Sequence, residues 1–290
     1  MDYEGQICRS PMERGSFMLP VSVGCSYNAC RFCTLFKHLS FRMLPLDQIR
    51  DEIRRVRDLG GNPSVVYLGD GNAFGMEMER FRIILSWIHE AFPGCTAVNM
   101  DAAVSDIARK TDEELAELAA CGVKRLYLGI ESGLADVLNA MNKDHSPAEA
   151  VFQIDRLHRA GLIYDAHIMT GIAGAGRGEE NARATADFLN RTRPGHLVNF
   201  SLFLHRSAPL YKDIENGIFH PAFEYENLLE DRLLLALLDV PGLKYDSFHD
   251  NLEFRVRGIL PQDKAAMLHK LDAEIKKQEA FADEKPPVYH

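Results

Sequence analysis

Six apolar runs, each followed by a segment of helical periodicity, recur at intervals of about 30 to 40 residues along this 290-residue chain. They lie near Met18 to Val23, Ser64 to Leu68, Thr96 to Met100, Arg125 to Ile130, Ile163 to Met169 and Leu197 to Leu204. Runs without polar alternation suit strands buried on both faces, and such strands are joined by right-handed helical crossovers. The intervening segments agree: Ile49, Ile53 and Val56 recur at helical spacing from Leu46 to Leu59, with Gly60-Gly61 able to stop the helix. Thr111 and Glu114 form a capping box, and further helices are expected over Met78 to Ala91, Ala148 to Ala160, Glu179 to Asn190 and Phe223 to Leu238. Another helix is expected to start after Pro261. The expected fold is α/β, a partial barrel of six strand-helix repeats over 17–220, preceded by a 1–16 extension and followed by a helical extension over 221–290. The end, from Glu284 to His290, is expected to fray.

In parallel sheets, ligands gather at the carboxyl ends of the strands. Gly69-Asp70-Gly71 follows the second run, where glycines permit close backbone approach; a plain tight turn is the competing reading. Glu131-Ser132-Gly133 follows the fourth, and polar groups there belong at a mouth unless Ser132 is simply a helix cap. Asp165, His167 and Met169 alternate to one face of the fifth strand, where His167 serves either a site or the core. Cys121 reads as a core thiol, and the polar, aromatic stretch Tyr245 to Arg257, including His249, as surface packing. No Gly-x-Gly-x-x-Gly follows the first run, which argues against a dinucleotide sheet.

The first run instead delivers Cys25, Cys30 and Cys33 within nine residues. Thiolates select iron–sulfur clusters, zinc or cuprous copper, and structural zinc normally takes four protein ligands. Cys8, Cys95 and Cys121 are scattered, and His38 stands alone, so the fourth corner looks open. A cubane held by three thiolates leaves one iron for chemistry. A zinc knuckle completed by a distant histidine, or three buried thiols without metal, are the other readings.

The pattern Gly24-Cys25-x4-Cys30-x-Phe32-Cys33 resembles the cluster loop of radical S-adenosylmethionine enzymes, in the longer spacing that a subset of them shares. Glu131-Ser132-Gly133 and the following Val137 to Lys143 resemble the branch of oxygen-independent coproporphyrinogen oxidases and methylthiotransferases. The resemblance implies a [4Fe-4S] cluster on Cys25, Cys30 and Cys33, with S-adenosylmethionine chelating the open iron and Phe32 near its adenine. Gly69, Asp70 and Gly71 would stand where the family holds the methionine amino group, and Glu131 and Ser132 would meet the ribose or methionine part. His167 and Met169 are further cofactor-binding candidates. The implied activity is reductive cleavage to a 5′-deoxyadenosyl radical by an oxygen-sensitive enzyme fed by a flavodoxin- or ferredoxin-like donor. The alternative is a non-catalytic structural or sensor protein holding a cluster or zinc.

A net charge of -9 gives no general attraction to phosphate backbones, so a small-molecule substrate is favoured over RNA. The arginines from Arg50 to Arg57 are interleaved with acids and read as a solvated helix face. Six cysteines without a signal peptide point to the cytoplasm, and no apolar run reaches membrane-spanning length.

Overall fold

The computed structural model describes residues 8–281 and 288–289. The chain forms two compact units interleaved along the sequence: 1–28, 35–128 and 153–164 in the first, 29–34, 129–152 and 165–290 in the second.

The first unit opens with a 3-10 turn, Pro11–Glu13, and the strand β1 (Phe17–Pro20). The expected first strand is broken here: β2 (Ser22–Val23) leaves β1 and pairs antiparallel with β3 (Arg42–Met43). Then come α1 (Leu46–Asp58), β4 (Val65–Gly69), α2 (Met78–Ala91), β5 (Ala97–Ala102), α3 (Val104–Ala108), α4 (Asp112–Ala120) and β6 (Val123–Glu131), whose last three residues fall in the second unit. β1, β4, β5 and β6 are neighbours in that order, all parallel. The helices form for the local reasons given above. In α1, Ile49 and Ile53 are buried while Arg55 pairs with Glu52 at 2.6 Å, and α4 starts on the Thr111–Glu114 capping box. Cys121 caps α4 half-buried, its carbonyl 2.9 Å from His89 Nε2, so it is not the core thiol expected; Cys95 is the buried one.

The second unit contains α5 (Ala135–Ala140), most of β7 (Ile163–Thr170), α7 (Gly178–Thr192), β8 (His196–Ser201), β9 (Leu204–His205), α8 (Pro209–Glu215), α9 (Glu224–Leu237), β10 (Lys244–His249), β11 (Phe254–Ile259) and α10 (Lys264–Gln278). The helix α6 (Pro147–Arg159) passes from this unit to the first. β7, β8 and β10 are parallel neighbours, and β11 closes the edge antiparallel to β10. The sixth run is thus split at Ser201, and Leu204–His205 pairs instead with β12 (Val288–Tyr289). The stretch expected to be a surface segment of a helical extension supplies two sheet strands, β10 and β11. The fraying expected of 284–287 and 290 lies outside the described residues.

The reason β10 escaped a periodicity reading is its polar inner side. Asp231 on α9 is fully buried and accepts from Asn199 Nδ2 at 2.9 Å, Ser247 Oγ at 2.8 Å, the Tyr245 hydroxyl, and His249 Nε2 at 3.1 Å. His249 Nδ1 faces Ser201 Oγ at 3.1 Å and Glu224 at 3.6 Å. Burial opposes charge on His249, but the two carboxylates outweigh it and push its pKa up to about 9. Burial likewise opposes charge on Asp231 and Glu224, and their bonds, led by those with His249, hold both below the usual carboxylate range. A histidine raised above its ordinary 6.5 contributes stability that is complete below that pH and lost as pH rises through about 9. The two depressed carboxylates contribute stability present above the ordinary carboxylate range and lost on acidification. Glu230, pushed up to about 8 by burial, adds a loss of the same sign as that of His249. The melting temperature is therefore expected to fall between pH 6.5 and 9, and His249→Gln to make that fall shallower in a calorimetric pH series, with the Glu230 share remaining.

Candidate active site

The cysteine loop is pinned through its backbone. In the first unit Gly24 and Asn28 take positive φ, +75° and +46°. Asn28 donates from Nδ2 to the Phe36 carbonyl at 2.8 Å and accepts on its own carbonyl from Lys37 Nζ at 2.6 Å. In the second unit the Arg31 amide donates to Met141 O at 3.0 Å, Leu210 N donates to Arg31 O at 2.8 Å, and Asn142 Nδ2 donates to Ala29 O at 3.1 Å. The Arg31 guanidinium pairs with Asp213. Cys25, Cys30 and Cys33 are half-buried, and none is in a disulfide. Among the described residues no three His, Cys, Asp or Glu side chains gather about a single-ion position.

Gly69-Asp70-Gly71 lies directly against the start of that loop. A Cβ added at Gly71, whose φ is +46°, would strike the Gly24 carbonyl group, 2.8 Å from its carbon, and come within 2.9 Å of Cys25 Cα. Only glycine fits such an approach. Asp70 is buried, its Oδ1 taking the amides of Gly71 at 2.9 Å and Cys8 at 3.3 Å; burial still pushes its pKa up to about 6. Ser22 Oγ holds the Asp70 carbonyl at 3.1 Å.

In the second unit Glu131 is buried at φ +64°, a conformation that costs a non-glycine residue about 1 kcal/mol or more. It is held by Lys143, whose Nζ lies 3.3 Å from Oε1, with both side chains less than a tenth exposed. Gly129 leaves room for the pair, since a Cβ there would sit 3.1 Å from Lys143 Nζ and collide with Glu131 Oε1. Burial disfavours the ammonium, but the charges of Glu131 and the Cys30 thiolate outweigh it and raise the Lys143 pKa. Lys143 was not singled out from the sequence; its only mark there is its place at the end of the Val137–Lys143 run.

Ser132 is fully buried rather than at a mouth. Its hydroxyl donates to Asn181 Oδ1 at 2.5 Å and accepts from Leu134 N at 3.0 Å, two residues ahead at the start of α5. Asn181 in turn donates to Glu230 at 2.6 Å, and Glu230 accepts the Gly171 amide at 2.9 Å. His167 packs edge-on to Phe200 at 6.2 Å, and burial, with the charges of His196 and Lys143, lowers its pKa to about 4. Phe32 and Met169 come together on an apolar cluster that includes Val137, Met141 and Ile172. Those three residues also line a pocket of about 300 Å³ with Gly174, Arg177 and Phe219.

In the first unit a parallel strand ends in a glycine turn against the backbone of the cysteine loop, and in the second another ends in a buried acid–lysine pair; such strand ends are where α/β proteins hold their ligands. The sequence matches the radical SAM superfamily over residues 19–189, more than half of the chain, and the protein belongs to that family. Its members are enzymes that bind a [4Fe-4S] cluster and S-adenosylmethionine and draw an electron from a donor. The fold is similar to that of archaeal Methanocaldococcus infernus Elp3, with TM-score 0.57 and 16% identity over 91% of this chain and 63% of that one. It is also similar to methylornithine synthase (PylB), with TM-score 0.56 and 14% identity over 91% and 85%. Coproporphyrinogen III oxidase (HemN) from Escherichia coli gives 0.53 and 15% over 90% and 52%. The chain thus spans less than two thirds of the length of Elp3 and HemN. No curated protein matches the sequence. No helix among the described residues is long and apolar enough to cross a membrane.

The donor set fits a cluster: three soft thiolate donors on a loop fixed by its backbone, with a buried cation beside Cys30. Breaking the Glu131–Lys143 pair would leave a buried carboxylate unpaired. Lys143→Met is expected to cost about 3–5 kcal/mol in a denaturant titration.

Proposed function

We propose that Cys25, Cys30 and Cys33 each ligate one iron of the [4Fe-4S] cluster and that the protein is a radical-generating enzyme acting on a small molecule. The observation that supports this reading is the fit of Gly71 against the backbone of Gly24 and Cys25, which brings the Gly69–Gly71 turn to the start of the cysteine loop with no side chain between. When bound, cluster and S-adenosylmethionine supply reductive cleavage to methionine and a 5′-deoxyadenosyl radical that abstracts hydrogen from substrate.

The chain's own residues bind, orient and shield. Gly69 to Gly71 offer backbone groups to the methionine end, and Asp70 holds the turn's own amides in shape. Glu131 is paired with and aimed by Lys143, whose Nζ lies 3.3 Å from its Oε1. Phe32 and Met169 face the cofactor from the apolar cluster, excluding water where the adenine would lie. Ser132 acts as a positioning residue through Asn181 and Glu230. His167 stays neutral at physiological pH and adds no charge. A flavodoxin- or ferredoxin-like protein is the proposed donor. A cytoplasmic location suits six cysteines with no disulfide among them.

Anaerobic reconstitution with iron and sulfide, reduction, and chromatography for 5′-deoxyadenosine test the reading. Wild type is expected to form it, and Cys30→Ala to form none. Gly71→Ala is expected to lose at least about tenfold, because its Cβ displaces the loop. Equal formation by wild type and Cys30→Ala would refute the assignment.

A further inference from the structure

The inner side of the first unit's strands carries a group of acceptors that the cofactor reading does not use. Glu13, 3% exposed, accepts from Asn99 Nδ2 at 2.7 Å, from the Tyr127 hydroxyl and from Ser16 Oγ. Asp101, next along β5 on the same side, accepts from the Tyr67 hydroxyl at 2.6 Å, and the Tyr67 and Tyr127 rings lie 6.1 Å apart. Every partner described for these two carboxylates is neutral. Arg125, across from Asn99 in the strand register, makes no described ion pair with either.

Independently of the acids, Asn99 is 6% exposed and its Oδ1 has no hydrogen-bond partner. Its orientation is not interchangeable: a carboxylate oxygen can only accept, so the bond to Glu13 fixes Nδ2 there and leaves the carbonyl oxygen as the orphan. Native proteins rarely leave a buried acceptor without a donor. What is missing is therefore a donor, and the Glu13 carboxylate on the same amide, with Asp101 two residues along the strand, selects a positive one. Burial pushes Asp101 up to about 7, with Asp70 and Glu13 adding to it, the behaviour of a carboxyl that lacks a cation. A metal ion fits poorly, because no three acidic, His or Cys side chains among the described residues gather about one point. An alkylammonium, with three N–H donors in a compact head, matches an amide oxygen and two carboxylates.

We propose that Asn99 Oδ1, Glu13 and Asp101 form a receptor for a primary ammonium group of the substrate. This rests on the enzymatic reading above and narrows its substrate class to primary amines. It is separate from the Gly69–Gly71 turn, where Asp70 Oδ1 is already taken by the amides of Gly71 and Cys8.

The test is calorimetric titration of the full chain, with the cluster reconstituted and again without it, using n-butylamine, n-butanol and butyrate. Butylamine is expected to bind at least about tenfold more tightly than the other two in both forms. Asp101→Asn should abolish that preference, and Asn99→Leu, which removes the orphan oxygen, should weaken amine binding at least about tenfold while leaving butanol binding unchanged. Both changes are nearly isosteric, and circular dichroism melts confirm folding. Equal binding of the three probes, an unaltered preference in Asp101→Asn, or unaltered amine binding by a folded Asn99→Leu overturns the proposal. A protein that forms 5′-deoxyadenosine yet ignores butylamine overturns this inference alone. One that binds butylamine without the cluster but never cleaves S-adenosylmethionine supports the receptor and overturns the enzymatic reading.

Discussion

The constraint on which the site depends is a backbone-to-backbone contact. At Gly71 the turn after β4 meets the chain at Gly24 and Cys25 so closely that no Cβ can intervene. The strand pairing brings this about: β1 and β4 are parallel with Pro20 opposite Gly69, so the segments that leave them emerge side by side. Positive φ at Gly24 and Gly71 then turns the two segments toward each other. Local chain geometry thus becomes a fixed position for the first cysteine of the loop.

Buried carboxylates are handled in two ways, and both units use both: Glu52 pairs with Arg55 in the first, while Glu230 in the second takes only neutral donors. Glu131 is compensated by Lys143, and Asp231 and Glu224 by His249. Such pairs offset their desolvation only when the remaining lone pairs are also satisfied, and the hydroxyls of Ser201, Tyr245 and Ser247 do this. In the first unit Glu13 and Asp101 are satisfied by hydroxyls and an amide but not neutralised.

Much of the architecture was legible because it is local. The capping box at Thr111, the helical spacing in α1 and the apolar runs of β4 to β7 concern residues within a few positions of one another, and each falls within a few residues of its expected place. The strands that went unassigned, β10 and β11, owe their stability to distant partners. Asp231 and Asn199 turn Tyr245, Ser247 and His249 into buried residues, and nothing adjacent in sequence announces it. Ser132 carries the same lesson: a serine after a strand reads as a site or a cap, and besides the local Leu134 amide it bonds Asn181, 49 residues away.

The sequence by itself determined most element types up to β8, the family and the cysteine loop, since periodicity, glycine positions and ligand spacing are properties of short stretches. Only the tertiary structure decided which polar residues are compensated and which are not. Lys143 becomes the partner of Glu131, and Glu13, from a segment without periodicity, reaches Asn99 across 86 positions. The physical reason is that burial makes a charge or an acceptor demand a partner, and long-range packing chooses which one it meets.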